Sequence, residues 1–178
     1  MSTPATAARA TAASEAEVDR HLAYQELLPR VFHYFCLRTG DRAQAEDLTA
    51  ATFERAWRDR QRYQRDLAPF SRWVFGIARH VAIDYYRERS QPKAPIQAQQ
   101  LQSPRPTEEA AAQYRQFELL SALLAGLPHR EREIISLKYG GRLTNRSIAS
   151  VMRLSETNVG TIVHRVVTQL RAHLVEEP

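Results

Sequence analysis

Apolar side chains recur every three to four positions along most of the chain, which is the spacing of one face of an α-helix. In the stretch FSRWVFGIARHVAIDYYRER, residues 70–89, the apolar stripe consists of Phe70, Val74, Ile77, Ala78, Val81 and Tyr85. Similar stripes predict a helix from about His21 to the stop at Thr39-Gly40, and another that Asp41 caps. Pro29 leaves open an interruption of the first helix. The first half of the chain is therefore expected to form an all-α module.

The helical pattern resumes after a gap and runs almost to the end of the chain. The expected helices are Gln113–Gly126, a helix that Pro128 starts and Gly140-Gly141 stops, Thr144–Met152 capped by Thr144, and Ser155–Leu174 capped by Ser155. The last two follow the helix-turn-helix plan, in which the longer second helix enters the major groove of DNA. An ordinary αα-hairpin in a bundle has the same periodicity, so the pattern alone leaves that alternative open.

Two segments lack such a stripe. Residues 1–20 are rich in Ala, Thr and Ser, and residues 91–112 contain four prolines together with Gln and Ser. Neither offers enough apolar surface to offset the entropy of ordering, so we expect a disordered tail and a flexible linker. At roughly 3.3 Å per residue, the linker spans up to about 70 Å. The expected architecture is two small helical domains, 21–90 and 113–175, held apart by this linker.

Charge indicates the kind of partner. The 178 residues include 25 Lys and Arg against 20 Asp and Glu, and only two of the basic residues are Lys. Such an excess of Arg is typical of phosphate binding, although a GC-rich coding bias produces the same excess. Residues 55–89 carry nine Arg and four acids. The acids gather instead at Asp41, Glu46, Asp47 and Glu54, which indicates a different partner for that surface.

The polar side of residues 70–89 carries more than charge. Trp73, His80, Asp84 and Arg87 form a row about 20 Å long on one flank, and Arg72 and Arg79 lie on the other. A stacking surface, hydrogen-bonding groups and positive charge together are typical of nucleic-acid binding. On the last helix, the positions expected to face outward are Glu156, Thr157, Asn158, Thr161, His164 and Arg165.

Other classes of protein find little support. No apolar run is long enough to span a membrane and the N-terminus has no signal-peptide core, so we expect a cytoplasmic protein. Cys36 stands among apolar residues and is expected to be a buried structural thiol. The scattered histidines fit no metal-binding or catalytic spacing. We therefore expect no cofactor, no metal and no enzymatic activity of the chain alone.

The two halves together resemble a known family. EDLTAATFERAW, the stretch FSRWVFGIARHVAIDYYRER, a Pro-rich linker, LPHREREIISLKYGG and a terminal helix-turn-helix are similar, in this order, to the extracytoplasmic-function branch of bacterial sigma factors. The resemblance extends from about Leu22 to Leu174. It implies an all-helical initiation factor with a region 2 domain and a region 4 domain. The implied partners are the beta-prime and beta subunits of RNA polymerase core, promoter DNA and an anti-sigma factor.

The resemblance also implies roles for individual residues. Those that match the polymerase-clamp helix are Glu46, Asp47, Thr52, Arg55 and Trp57. Those that match the surface capturing, melting and reading the minus-ten element are Arg62, Tyr63 and Arg65 in the loop 61–67, and Arg72, Trp73, Arg79, His80, Asp84 and Arg87. The minus-35 element would be bound by Thr144, Asn145, Arg146, Ser155, Thr157, Asn158, Thr161, His164 and Arg165.

The sequence departs from the family pattern at four places. His80 stands where the family commonly has Asn, and Gly160 and Ile162 occupy positions that often carry basic residues. The turn Met152-Arg153-Leu154 lacks the usual glycine. Two other functions remain open at this point: a stand-alone helix-turn-helix regulator, which needs neither the acidic helix nor the Trp73 row, and an enzyme acting on nucleic acid, which would need a metal or acid–base cluster.

Overall fold

The computed structural model of the protein describes residues 23–64, 68–89 and 108–176, and all regular secondary structure in these ranges is helical. The first module consists of α1 (23–39), α2 (Arg42–Arg58) and α3 (Phe70–Arg89). The second consists of α4 (Glu108–Ala125), α5 (His129–Ile135), α6 (Asn145–Met152) and α7 (Glu156–Glu176). The all-α prediction is confirmed. The expected tail, most of the expected linker and Arg65 lie outside the described residues.

The first helix runs through Pro29 without a break. A proline inside a helix costs about 3 kcal/mol, whereas burial of one large apolar side chain contributes about 1.5–3 kcal/mol. Val31, Tyr34 and Phe35 are fully buried on one face of α1, so their packing outweighs the cost of Pro29. The helix ends at Gly40, whose φ of 71° suits a residue without a side chain.

Two threonines in α2 lie deeper than their polarity suggests. The Asp41 side chain caps the helix by accepting from the Gln44 backbone N–H at 3.1 Å, as predicted. Ala51 and Trp57 are apolar but exposed, whereas Thr49 and Thr52 are buried. Each threonine hydroxyl donates to a carbonyl one turn earlier, which satisfies it inside the core.

The buried stripe of α3 is wider than predicted. Val74, Ala78 and Val81 are buried as expected, but so is Phe75, which lies one position outside the predicted stripe. Phe75 packs edge-on against Tyr34 of α1 at 5.9 Å between ring centroids. It also approaches the turn that follows α5, so the second module covers a part of α3 that lies outside the predicted stripe.

In the second module, α4 begins five residues before the expected start at Gln113. The added residues read Glu-Glu-Ala-Ala-Ala, all strong helix formers, and they had been assigned to the linker because of the nearby prolines. The predicted helix at Pro128 is confirmed as α5, which continues through a π-helical turn, Ser136–Gly140.

The helix-turn-helix is formed by α6 and α7. The Thr144 hydroxyl accepts from the Ser147 N–H, and the Ser155 hydroxyl accepts from the Asn158 N–H, each at 3.1 Å. Both predicted caps are confirmed. In the turn, Arg153 adopts the left-handed conformation with φ of 55°, the role that a glycine would take at lower conformational cost. Its N–H bonds to the Ala149 carbonyl and closes α6.

The two modules lie in contact, and their buried side chains form one continuous cluster. Helix α3 packs near α6, and α5 with its π-helical turn lies against α1 and α3. The sequence had suggested modules held well apart by the linker. Periodicity within each helix does not report contacts between segments a hundred residues apart, so this packing was not predicted.

Candidate nucleic-acid interface

An aromatic cluster occupies the junction between the Arg60–Arg62 turn and α3. The Tyr63 ring lies 5.3 Å from Trp73 and 5.2 Å from Phe70, centroid to centroid. Its hydroxyl donates to the Ala68 carbonyl at 2.9 Å. Trp73 and Tyr63 are both half-buried, so each ring is fixed by packing and retains an exposed part. The cluster thus presents two oriented rings on which an unpaired base can stack.

The charged residues of this surface are paired with one another. Asp84 lies 3.4 Å from Arg55 of α2 and 3.2 Å from Arg87 of its own helix. Arg55 had been assigned to the polymerase and the other two to DNA, but the structure brings all three together. Such exposed pairs contribute about 0–1 kcal/mol each, so Arg55 and Arg87 can exchange Asp84 for a phosphate at little cost.

The remaining members of the predicted minus-ten set are divided between two faces. Arg62 and His80 are exposed, and Arg72 is half-buried. Arg79 instead points to the second module, where its Nε lies 3.2 Å from Oε1 of the buried Glu133. Arg79 is therefore not available to DNA in this arrangement of the modules.

The predicted polymerase-binding set is mostly exposed on α2. Glu46 and Asp47 lie at the surface, and Trp57 is 55% exposed with the Arg60 guanidinium 4.4 Å from its ring centroid. The structure corrects the assignment of Thr52 to this set, because Thr52 is fully buried and its hydroxyl donates to the Leu48 carbonyl at 2.7 Å. It supports the helix from inside and is removed from the contact set.

On the helix-turn-helix, the predicted outward-facing residues of α7 are all exposed; they are Glu156, Thr157, Asn158, Thr161, His164 and Arg165. Arg165 extends sideways to Glu131 of α5, at 2.6 Å, and Arg146 reaches Glu156 at 3.2 Å. The start of α7 therefore presents polar side chains of moderate size, and its two neighbouring arginines are held by carboxylates.

Asn145 is less available than the sequence suggested. Its side-chain oxygen accepts from Lys138 Nζ at 2.8 Å, and its amide nitrogen lies near Gly160 of α7. Gly160, an apparent departure from the family pattern, thus faces the start of α6. A Cβ there would meet the amide nitrogen at 3.5 Å, an ordinary contact, so space alone does not require the glycine.

Cys36 is buried, as predicted for a structural thiol. Burial raises the pKa of its thiol to about 11, so it is almost entirely protonated at neutral pH. In the described part of the chain, no group of His, Cys, Asp and Glu has the composition to hold a metal ion. No helix there is long and apolar enough to cross a lipid bilayer.

Sequence reasoning missed a group of residues between the modules: Arg30, Arg38, Phe75, Tyr86, His129 and Glu133. The sequence shows little sign of this group, because charged and polar residues on a helix usually face water. Arg38 is 1% exposed, and its guanidinium packs over Tyr86 of α3 and faces His129 of α5. Only the tertiary fold brings these three helices together.

Two helical modules, one with an aromatic and arginine-bearing surface and the other with a helix-turn-helix, are typical of a DNA-binding protein of the transcription machinery. Residues 23–91 match the Sigma-70 region 2 family, and residues 117–170 match the Sigma-70 region 4 family. Sigma factor SigL of Mycobacterium tuberculosis is 32% identical over 93% of each chain. Sigma factor SigM of Bacillus subtilis is 28% identical over 84% of this chain and 91% of its own.

Solved structures share the fold. The sigma factor RpoE of Bartonella quintana, in complex with the anti-sigma factor NepR, superposes with a TM-score of 0.66 at 18% identity, covering 90% of this chain and 99% of that one. CnrH, in complex with the cytosolic domain of CnrY, gives 0.58 at 22% identity, covering 92% and 88%.

The chain belongs to the extracytoplasmic-function family of RNA polymerase sigma factors. It binds RNA polymerase and directs promoter recognition, as its region 2 and region 4 modules and its relatives establish. The alternative of a stand-alone regulator does not account for the region 2 match, which covers the whole first module.

Proposed function

We propose a division of labour among three surfaces of this sigma factor. The exposed face of α2 binds polymerase core, the aromatic cluster with α3 opens and reads the minus-ten element, and the start of α7 reads the minus-35 element. Residues 21–90 then act as region 2 and residues 113–175, together with the first turn of α4, as region 4. The protein works in the cytoplasm beside the polymerase, and the chemistry of RNA synthesis is the polymerase's own.

For α2, the argument rests on an exposed aromatic residue beside acids. More than half of the Trp57 side chain is exposed to water. Exposed aromatic side chains of this kind are often buried when a protein partner binds. Glu46 and Asp47, two to three turns earlier, add negative charge on an exposed face. A helix of this kind suits a protein partner with basic residues better than it suits DNA.

For α3, the argument rests on the oriented rings of Tyr63 and Trp73. Base stacking on an aromatic residue contributes about 1–3 kcal/mol per base, which helps to hold a strand open without ATP. Exposed Arg62 and Arg87 lie in the same segment and can neutralise phosphates of that strand.

The observation that carries the proposal is the exposed start of α7 behind its Ser155 cap. The side chains of Thr157, Asn158 and Thr161 project from the first two turns, which is the part of a recognition helix that contacts base edges. The backbone N–H groups at the same helix end are suited to a phosphate. Asn158 can pair with adenine through two hydrogen bonds.

We also infer an anti-sigma protein as a partner. Two solved structures similar in fold are complexes with such partners, namely NepR and the cytosolic domain of CnrY. In this chain, Leu119 and Leu120 of α4 are 43% and 37% exposed, which leaves an apolar surface beside the start of the second module.

The test is transcription from fragmented genomic DNA of the source organism by purified polymerase core, with and without this protein. New RNA 5′ ends that share two spaced upstream elements are the expected result. If the core is active with another sigma factor and this protein adds no starts, the proposed division of labour is rejected. Tight duplex binding without polymerase would then point to a regulator.

A further inference from the structure

Arg38, near the end of α1, carries a charge that lies buried between three helices. The residue is 1% exposed, and its guanidinium lies over the Tyr86 ring of α3, 4.8 Å from the ring centroid. His129 of α5 faces it from the third side. Burial of an ion is costly unless an opposite charge accompanies it, yet no carboxylate within the described ranges lies at ion-pair distance from Arg38. The buried carboxylate of Glu133 is paired instead with Arg79, at 3.2 Å.

Most of the donors on this guanidinium have no acceptor. Nη2 lies 2.8 Å from Nδ1 and 2.9 Å from Nε2 of His129, so a neutral imidazole faces it as acceptor without supplying negative charge. Nε and Nη1 of Arg38 form no hydrogen bond with the described residues. The buried hydroxyl of Tyr34, one turn earlier in α1, forms none with them either. Buried donors in folded proteins are almost always satisfied, so these groups are suited to an acceptor from outside the chain.

The charges that act on this cluster are positive. Burial and then the charge of Arg38 lower the pKa of Arg132 in α5. Burial, Arg38 and Arg132, in this order, lower the pKa of His129. Burial raises the pKa of Tyr86, and the charges of Arg38 and Arg132 act on it in the opposite direction. Helices α1 and α5 thus concentrate positive charge around Tyr86, and an anion bound there would relieve the repulsion.

The accessible side of the cluster is formed by α5. His129 is exposed and Arg132, three residues later, is half-buried. Rotation of the His129 ring about its side-chain bonds moves it into solvent and uncovers Nη2 of Arg38. Nη2 shares one edge of the guanidinium with Nε and another edge with Nη1. An uncovered Arg38 therefore offers two parallel donors, the arrangement that matches a pair of phosphate oxygens.

The burial of Arg38 limits the size of the ligand. A residue that is 1% exposed between three helices is out of reach for a nucleic-acid strand, whose phosphates are linked to sugars on both sides. A free phosphate ion, or the terminal phosphate of a small metabolite, has several unlinked oxygens and needs only the opening that the His129 ring leaves.

We propose that Arg38, His129 and Arg132 form a binding site for a small phosphate-bearing anion. Arg38 holds the anion through one edge of its guanidinium, and Arg132 adds a second positive charge at the mouth of the site. His129 turns aside to admit the anion and binds a proton beside it. The site is distinct from the three surfaces assigned above to polymerase and promoter, so it stands independently of the proposed function.

The test is a titration of the full chain with inorganic phosphate, followed by isothermal titration calorimetry at neutral pH and constant ionic strength. Arg132→Gln removes a charge from the proposed site. Arg130→Gln is the matched control, because it removes the same charge from the same helix at an exposed position.

The parent should bind phosphate saturably. Arg132→Gln should bind it roughly ten-fold or more weakly, as expected for a lost hydrogen bond between charged groups. Arg130→Gln should differ from the parent by less than about two-fold. Equal weakening in both variants would indicate general attraction of charge and overturn the site, and so would the absence of saturable binding to the parent.

Histidine NMR separates binding at this site from binding elsewhere on the chain. The His129 signal is assigned by its loss in His129→Gln. Phosphate beside the ring favours the imidazolium, so saturation with phosphate should raise the pKa of His129 toward or above its ordinary value of about 6.5. An unchanged pKa of His129 at saturating phosphate would overturn the proposal, even where heat of binding is observed.

Arg38→Lys tests the edge of the guanidinium, because it keeps the charge and removes the paired donors. Weaker phosphate binding with unchanged helical content by circular dichroism supports the site, and binding as tight as that of the parent overturns it. Should this variant lose helical content, Arg132→Gln and the His129 signal decide in its place.

Glycerol phosphate and a short single-stranded oligonucleotide identify the source of the phosphate. Tighter binding of glycerol phosphate than of inorganic phosphate supports a site for a small metabolite, and the reverse order supports a site for the free ion. Displacement of phosphate by the oligonucleotide at equal concentration would assign the cluster to nucleic acid and overturn the small-anion proposal.

Discussion

At the start of α7, Thr157 and Asn158 project into solvent, whereas in the first module Trp73 is packed in an aromatic cluster and Asp84 is held between two arginines. The difference matches the tasks that we propose for the two surfaces. A helix that enters the groove of intact duplex needs exposed groups in fixed positions. A surface that accepts an unpaired base needs rings that are already oriented, because ordering them on binding would cost entropy.

The largest effect on transcription is expected when the oriented ring of Trp73 is removed from the first module. Trp73→Ala combined with Arg87→Ala eliminates a stacking ring and a phosphate contact, so promoter opening should fall by roughly five- to 150-fold, the equivalent of about 1–3 kcal/mol for one stacked base. Permanganate reactivity of unpaired thymines in the promoter measures opening. Binding to polymerase core should be unchanged, and a pre-melted template should restore transcription. Normal opening on duplex promoter would remove the Trp73 row from the reading surface.

A smaller and more selective effect is expected from the second module. Asn158→Ala should change the preferred base in the minus-35 element, with a loss of roughly 1–3 kcal/mol of discrimination at one position. Gln169→Ala, which removes an exposed amide three turns further along α7, is the matched control. Sequencing of promoters selected from a random pool provides the measurement. A minus-35 profile identical to that of the parent would exclude Asn158 from base reading.

The contact between the modules should respond to pH. Partial burial, together with the charges of Arg38 and Arg132, lowers the pKa of His129 where the modules are in contact, and Tyr86 packs against its ring. With the modules apart, the imidazole binds a proton more readily, near the ordinary pKa of about 6.5, so the contact is strongest above this pH and weakens as the pH falls below it. The distribution of distances between spin labels attached through Ala50→Cys in α2 and Ser150→Cys in α6, both exposed positions, should therefore broaden between pH 7.5 and 5.5. His129→Gln should abolish this dependence, and a broadening that persists in it would assign the effect to another group.

The smallest effect concerns the pair that joins α2 to α3. A double-mutant cycle with Arg55→Ala and Asp84→Ala should give a coupling energy of about 0.2–1 kcal/mol in thermal unfolding, because both groups are partly exposed. If Arg55 also contacts polymerase, Arg55→Ala should weaken core binding and Asp84→Ala should not. Equal losses of core binding in both variants would indicate that Arg55 acts only by holding the two helices together.

Local features were predictable from the sequence because they depend on neighbouring residues. Asp41, Thr144 and Ser155 each cap the helix assigned to them, since the capping hydrogen bond reaches only three residues ahead. The exposed face of α7 followed from its periodicity in the same way. The assignment of that face to base reading rests on the family resemblance and remains a prediction.

Features that depend on distant contacts were not predictable. Phe75 was left out of the predicted apolar stripe because the module that covers it lies more than fifty residues later, and Arg79 was assigned to DNA because Glu133 was not known to face it. Thr52 was assigned to the polymerase-binding set because it matches the polymerase-clamp helix of the family. Its hydroxyl is satisfied inside the core by the Leu48 carbonyl, and a sequence does not show whether a threonine forms such a bond.

The chain between α3 and α4 has one more consequence. Only 18 residues separate Arg89 from Glu108, and a tether of such length keeps its two ends at an effective concentration on the order of millimolar. An association of the two modules with a dissociation constant near 1 mM, or about 4 kcal/mol, is then enough to keep them in contact. Contacts as few as those of Arg79 with Glu133 and of Arg38 with His129 suffice for this, and they remain weak enough for a polymerase that binds both modules to displace.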